Sequence, residues 1–309
     1  MKTNLRIIVV AALAASLPLL VPAFLTFQLT QMIGLGIALV GLNVLIGWAG
    51  QPTLGHGAFF AIGAYGTAML TDAGLPWWAA LPAACAIGSA LAFIIGRPIL
   101  RLEHTHLALA TFAIALAVPQ LVRNGTVERW TGGAQGLQLD RPHPPAWLEP
   151  WVGQDTWMYW VALALAVVVV LGVQRLSRAR LGLELRALKD HAVAASSCGI
   201  DVPGSKAIAF MLSAACACAG GGLYALNVQL VTPDSFNVLL SLTMLVALVV
   251  GGPGSLIGPW IGAAFVQFVP PLAERISTAA PWAIFGAAIL IVVFVQPRGI
   301  AGLFHRMPR

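Results

Sequence analysis

The stretch from Gly41 to Gly66 reads GLNVLIGWAGQPTLGHGAFFAIGAYG and begins as an apolar run suited to a membrane helix. After Trp48, Gly, Gln, Pro, Thr and His residues interrupt the run, which becomes apolar again at Ala58. A break of this kind exposes backbone N–H and C=O groups, which hydrocarbon cannot satisfy. The stretch therefore predicts two membrane helices joined by a polar connection whose backbone must find partners in protein or water.

The composition of the 309 residues is that of an integral membrane protein. Hydrophobic residues make up 59% of the chain and charged residues 9%, and the mean hydropathy is +0.87, whereas soluble domains carry roughly 25% charged residues. The net charge of +6 is spread between long apolar segments. This pattern fits cytoplasmic loops beside anionic lipid, so we expect a lipid bilayer and no nucleic acid as a partner.

Apolar segments of about 20 residues predict an all-α, polytopic membrane helix bundle of about ten transmembrane segments, within a range of about eight to ten. The N-terminal apolar run is long for a signal peptide and lacks a convincing cleavage site, which favours an uncleaved first span. Broken or re-entrant helices are expected near residues 50–57 and 252–258. The candidate spans are residues 7–26, 29–49, 57–71, 76–96, 105–122, 157–174, 207–227, 237–251, 259–271 and 281–296.

The distribution of basic residues predicts that both termini are cytoplasmic, because cytoplasmic loops are enriched in Lys and Arg. Two polar segments lie between the spans: an outer loop at about 123–156 and a cytoplasmic loop at about 175–206. Neither is large enough to be an independent domain, so residues 1–309 are expected to form a single membrane domain. Of the 17 Lys and Arg residues, those on the predicted outer side are Arg123, Arg129, Arg141 and Arg275.

The sequence lacks the motifs of nucleotide-hydrolysing and metal enzymes. There is no phosphate-binding G-x-x-x-x-G-K-[ST] loop and no H-E-x-x-H, and the four cysteines have no metal-ligand spacing. We therefore expect no catalytic residues, no metal and no cofactor in this chain. The predicted spans also carry almost no charged residues, which argues against an ion-coupled transporter, because such proteins bind the coupling ion with ionisable side chains.

A second interruption, GGPGSLIGPWIGAAF at 251–265, resembles the first. Both place a hydroxyl residue before leucine in a Gly-bounded turn, and paired Gly/Pro interruptions in two halves of a transporter indicate a substrate path. The alternative is two tight hairpins on the inner side that have no substrate role. A nearby small-residue run, SAACACAGGG at 213–222, predicts close helix packing. The candidates for the path are Gln51, Thr53, His56, Pro253 and Ser255.

Several motifs occur in an order that resembles one transporter family. They are GLNVLIGWAGQPTLGHGAFFAIGAY, TGGAQGL, LRALKDHAVAASSCGIDV, LSAACACAGGGLYAL, TPDSFNVLLSLTMLVALVVGGPGSLIGPWIGAA and VQPRGIAGL. From about residue 35 to the C-terminus, the chain resembles the LivM-type permeases of branched-chain amino acid ABC importers. The resemblance implies a multi-pass protein of the bacterial inner membrane, with a second, LivH-type permease subunit beside it. It also implies two cytoplasmic LivG/LivF-type ATPase subunits, which bind ATP and Mg²⁺, and a periplasmic substrate-binding protein.

The resemblance further implies that residues from about Asp190 to Gly199 form the coupling helix that contacts the ATPase. Ser196 stands where relatives often carry a second acidic residue, so the ion pairing on the ATPase side is expected to differ. Alternatives are a permease for urea or short-chain amides, an energy-independent facilitator and a structural scaffold; a facilitator would not need a basic inner loop of this length. The coupling candidates are Arg186, Lys189, Asp190, Ala194, Ala195 and Gly199.

Overall fold

The computed structural model describes residues 13–100, 104–146, 148–276, 281–296 and 299–303. It is a helix bundle with one small two-stranded sheet in the described ranges. The helices are α1 Ala23–Leu42, α2 His56–Asp72, α3 Trp77–Ile99, α4 His104–Val122, α5 Glu128–Thr131, α6 Gln154–Arg178, α7 Arg180–Asp190, α8 Ala192–Ser197, α9 Val202–Val228, α10 Val238–Gly251, α11 Gly258–Ile276 and α12 Pro281–Val295. Short 3₁₀ turns lie at Leu17–Leu19, Pro233–Phe236 and Ile300–Leu303.

Helix α9 forms the centre of the bundle and packs against α1, α2 and α3. Its small residues permit this contact, as the sequence predicted. A methyl group on Gly221 would overlap the carbonyl oxygen of Phe60 in α2, and one on Gly63 in α2 would overlap the backbone of Cys218. Backbones that approach so closely gain van der Waals contact without needing large side chains.

The two ends of the bundle differ in character. We call one the basic end: it holds α7, α8 and both connections that the sequence predicted as breaks. The other, the loop end, holds residues 123–146 and 148–153 and the antiparallel strands β1 Leu137–Gln138 and β2 Leu230–Val231. Arg141 fastens this loop to the bundle, since its Nη1 lies 2.6 Å from Asp155 Oδ1 and its Nη2 donates to the backbone oxygen of Asn227 at 3.1 Å.

The described helices agree with most of the predicted spans. Each predicted span from 57–71 to 281–296 coincides with one helix to within a few residues. Among the described residues, four helices are long and apolar enough to cross a membrane: Ala23–Trp48, Trp77–Ile99, Gln154–Arg178 and Val202–Val228. Shorter apolar helices cover His106–Val122, Val238–Gly251 and Ala283–Val292. The chain is thus a polytopic helix bundle, and the total of about eight to ten spans stays a prediction.

The predicted boundary between the first two spans is wrong. Residues 23–26 were assigned to the first span, but they open α1, and the chain turns at residues 20–22 instead of 27–28. Pro22 has an extended backbone and starts the helix. Thr26 and Thr30 donate their hydroxyls to carbonyl oxygens four residues earlier, so the helix itself satisfies them. Residues 1–12 of the predicted first span lie outside the described residues.

Candidate functional site

The first break is preceded by a change of helix type at the end of α1. Helix α1 widens at its C-terminus into a π-helix over Asn43–Trp48, and residues 49–55 are not helical. Gly50 has a φ of +65°, which favours glycine. Gln51 is buried: its backbone N–H donates to Leu45 O at 3.1 Å, and its Nε2 donates to Ala49 O at 3.3 Å. The first break is therefore an ordered connection that folds back on its own helix.

The side chains of Thr53 and His56 are buried and bonded to backbone groups. Thr53 Oγ1 accepts the N–H of Gly55 at 3.2 Å, just before α2. His56 Nε2 lies 2.8 Å from Ala38 O in α1, and its Nδ1 lies 3.5 Å from Ser213 Oγ in α9. Because a carbonyl oxygen only accepts, Nε2 carries the hydrogen. His56 thus joins α1, α2 and α9 at the start of α2.

Two further hydroxyls reach the first break from helices distant in sequence. Thr111 Oγ1 in α4 accepts the N–H of Leu54 at 3.1 Å, and Ser241 Oγ in α10 accepts the N–H of Gly57 at 3.0 Å. Neither residue was predicted from the sequence as a site residue. Each is a hydroxyl residue in an apolar helix, and that pattern alone does not name a partner. Both supply the backbone partners that a break in an apolar bundle needs.

The second break spans residues 252–257, between α10 and α11. Ser255 Oγ accepts the N–H of Gly258, the first residue of α11, at 2.8 Å, and donates to Gly252 O at 3.3 Å. Pro253 is exposed. The hydroxyls of Thr53 and Ser255 thus occupy comparable places, since each accepts a glycine N–H where the next helix begins.

The two breaks lie against each other at the basic end. Asn43 Nδ2 donates to Ser255 O at 2.8 Å, and Asn43 Oδ1 accepts the N–H of Gly254 at 2.6 Å. Trp48 Nε1 also lies 3.4 Å from Gly254 O. The breaks can be paired by their composition, but Asn43 was not predicted as a site residue; its signal in the sequence is a lone amide side chain within an apolar run.

The segment that holds the coupling candidates packs onto the first break. Lys189 Nζ donates to Gly47 O at 2.8 Å, and the guanidinium of Arg186 lies 5.7 Å from the ring centre of Trp48. The structure therefore places two of the coupling candidates against residues that adjoin the path candidates. Asp190 is exposed at the end of α7.

The predicted coupling helix is shorter than expected, because α8 covers only Ala192–Ser197. His191 before it is extended, and Gly199 after it has a φ of +81°, which ends the helix. Ala194 and Gly199 are exposed, whereas Ala195 is only 5% exposed and packs into the core of this chain. The large apolar residue exposed on α8 is Val193, at 78%.

The chemistry available at the breaks is that of neutral donors and acceptors. The buried side chains are amides, hydroxyls and one imidazole, and among the described residues no group of three or more His, Cys, Asp or Glu is placed to hold a metal ion. Such groups bind polar or zwitterionic molecules through hydrogen bonds and helix ends.

Comparison with known proteins identifies the family. Residues 24–295 match the family described as the permease component of branched-chain amino acid transport systems. The chain belongs to this family. The match includes both breaks, α7 and α8, so the features at the basic end lie within the matched residues. Members of the family are transport subunits rather than enzymes.

Two curated relatives share this assignment. The permease is 31% identical over 283 residues to the high-affinity branched-chain amino acid transport system permease protein LivM of Salmonella typhimurium. This alignment covers 84% of this chain and 66% of the relative. It is 30% identical over 322 residues to the protein of the same name from Escherichia coli, and this alignment covers 97% of this chain and 75% of the relative. The permease thus spans about two thirds to three quarters of the length of these relatives. No solved structure matches it.

Proposed function

We propose that the permease is the membrane-spanning subunit of an ABC importer that moves branched-chain or related hydrophobic amino acids across the bacterial inner membrane. The family match over residues 24–295, together with two relatives named as branched-chain amino acid permeases, carries this proposal. A second, non-identical permease subunit completes the pathway. Two cytoplasmic ATPase subunits bind ATP and Mg²⁺, and a periplasmic binding protein delivers the amino acid.

In this proposal, energy enters through α8. The helix is short, lies at the basic end and exposes Val193 and Ala194, a small apolar surface that suits a groove on an ATPase subunit. Asp190 and Gly199 border this surface and are also exposed. Ala195 contributes by anchoring α8 to the core rather than by contacting the ATPase.

The substrate path runs past the two breaks. An amino acid carries one positive and one negative charge, so its path needs no buried ion but does need donors and acceptors. Helices α2 and α11 both begin at a break, and the N-terminus of a helix favours a carboxylate. The neutral side chains of Gln51, Thr53 and Ser255 lie at these helix starts and supply further hydrogen bonds.

Transport follows from two packings of the bundle. ATP binding in the partner subunits displaces α7 and α8 and shifts the population between outward-facing and inward-facing arrangements. The contact of Lys189 with Gly47 and of Arg186 with Trp48 supports this route, because it links the basic end directly to the first break.

The test is reconstituted uptake. The permease is assembled with its second permease subunit and both ATPase subunits in proteoliposomes, and uptake of radiolabelled leucine is measured with and without ATP and the binding protein. We expect uptake to require both, and a variant of the ATPase subunits that binds but cannot hydrolyse ATP serves as the control. Equal uptake without ATP would identify a facilitator, and uptake of urea in place of leucine would overturn the assigned substrate.

A further inference from the structure

Asn43 holds the two breaks together with a donor and an acceptor at once. Its side chain is 1% exposed, and its amide bonds Gly254 through Oδ1 and Ser255 through Nδ2, at 2.6 and 2.8 Å. Both partners are backbone groups of the second break, more than 200 residues away in the chain. A side chain that can only accept or only donate makes one of these bonds, whereas an amide makes both.

The backbones of the breaks also approach each other closely beside Asn43. A methyl group on Gly47 would lie 2.6 Å from the backbone nitrogen of Gly254, inside van der Waals contact. Trp48 Nε1 lies 3.4 Å from Gly254 O on the same side. The contact is therefore compact, and a displacement of one break displaces the other.

Helix α7 is bound to the first break by both polar and apolar contacts. Lys189 Nζ donates to Gly47 O, and Arg186 lies over Trp48. On its buried face, Leu185 and Leu188 join the same apolar cluster as Val44, Leu45 and Trp48 of the π-helix. Close-packed groups of this kind move together rather than deform.

We infer that Asn43 is a positioning residue that transmits the displacement of α7 from the first break to the second, so that both breaks move as one unit during transport. The inference rests on the proposed function, because it assigns α7 to the segment that the ATPase subunits move. Without the amide of Asn43, ATP-driven motion of α7 reaches the first break through Lys189 but no longer carries the second break with it.

The decisive quantity is the amount of leucine taken up per ATP hydrolysed, measured in the reconstituted importer with its binding protein. We expect Asn43→Leu, which removes both hydrogen bonds and keeps a similar volume, to lower this ratio by about tenfold. ATP hydrolysis stimulated by the binding protein stays within about twofold of wild type. Asn43→Asp, which keeps the acceptor and loses the donor, gives an intermediate ratio.

Gln31→Leu is the matched control. Gln31 also lies on α1 and also makes an amide contact between helices, since Gln267 Nε2 in α11 donates to its Oε1 at 3.1 Å. It lies near the middle of α1, about three helical turns before Asn43. Loss of this bond lowers stability in the same way as loss of the Asn43 bonds, but the leucine-to-ATP ratio remains that of wild type.

Lys189→Met tests the other end of the connection with a variant whose side chain is exposed, so that folding is preserved. It keeps the apolar stem and loses the bond to Gly47 O. We expect the same signature: ATP hydrolysis is retained and leucine uptake per ATP falls.

The outcomes separate the two proposals. If wild-type uptake needs no ATP, the proposed function fails and this inference fails with it. If wild type is coupled, the inference alone is overturned by any of three results: Asn43→Leu and Lys189→Met keep the wild-type ratio, uptake and ATP hydrolysis fall in proportion, or Gln31→Leu lowers the ratio equally.

Discussion

At the scale of single residues, each hydroxyl at the breaks accepts a hydrogen bond from a backbone N–H that an apolar bundle would otherwise leave unpaired. Thr53 and Ser255 bond the glycines at the starts of α2 and α11, while Thr111 and Ser241 reach in from other helices. An unpaired buried group costs about 1–3 kcal/mol. These four residues therefore stabilise the breaks alike, and only a transport measurement separates those that also bind substrate.

The first prediction compares two pairs of substitutions. Replacing Thr53 and Ser255 together by Ala should raise the KM for leucine uptake by about tenfold, because the proposed path loses two hydrogen bonds to a charged substrate. Replacing Thr111 and Ser241 by Ala removes the same kind of backbone bond but leaves the KM unchanged. Uptake is measured in proteoliposomes with equal amounts of folded protein.

Two results for the double variants would contradict a substrate role. If both double variants change the KM equally, or if Thr53→Ala with Ser255→Ala leaves it unchanged, Thr53 and Ser255 serve the backbone alone. The two breaks would then match the alternative that the sequence left open, a pair of hairpins without a substrate role.

At the scale of elements, the packing of α9 depends on its small residues. The helix packs against α1, α2 and α3, and its Gly220 and Gly221 lie where another backbone passes. This packing could be predicted from the run SAACACAGGG, because small residues at close spacing have one main use in a membrane helix. The π-helix at the end of α1 could not, since its apolar residues have the same composition as an ordinary helix.

The second prediction compares Gly→Ala at two sites, where it should change the free energy of unfolding in different ways. Gly221→Ala in α9 should lower the free energy of unfolding by about 1–3 kcal/mol, because the added methyl overlaps the Phe60 carbonyl. Gly172→Ala in α6, where nothing lies within 4 Å of the added methyl, should be neutral or stabilise by up to about 1 kcal/mol through helix propensity. Thermal unfolding in detergent measures both variants. Equal changes in Tm would contradict the close packing of α9.

At the scale of the whole molecule, the bundle has one end rich in Arg and Lys and one end that carries the loop and the small sheet. The charge distribution predicts that the basic end faces the cytoplasm. Cys198 offers a natural probe of this orientation, because it is a free, exposed thiol just after α8, whereas Cys218 is buried.

The third prediction concerns that thiol. In intact spheroplasts, a membrane-impermeant maleimide should not label Cys198, and opening the membrane should permit labelling. Trp151→Cys, combined with Cys198→Ser, places a thiol in the loop at a position that is 86% exposed, and it should be labelled in intact spheroplasts. Cys198→Ser alone gives the background. The reverse pattern would invert the predicted orientation.

The sequence predicts the helices of this bundle well and their contacts poorly. Hydropathy places each helix from α2 onward to within a few residues, except in the polar segments, because about 20 apolar residues in a row have few other uses. The contact of Asn43 with Gly254 depends on how the whole chain folds, and a lone amide in an apolar run does not name so distant a partner. The early turn at Pro22 was missed because Leu20 and Val21 are as apolar as the helices beside them, so hydropathy does not mark the turn.

The bond between Asn43 and Gly254 also has a consequence for biosynthesis. The two residues are separated by 211 positions, and a ribosome adding about 5–20 residues per second needs on the order of 10–40 s to make that length. During this interval, α2 to α10 are synthesised while the amide of Asn43 has no final partner. The membrane insertion machinery must therefore supply water or a temporary polar contact at this site, and the bundle closes only once α10 and α11 arrive.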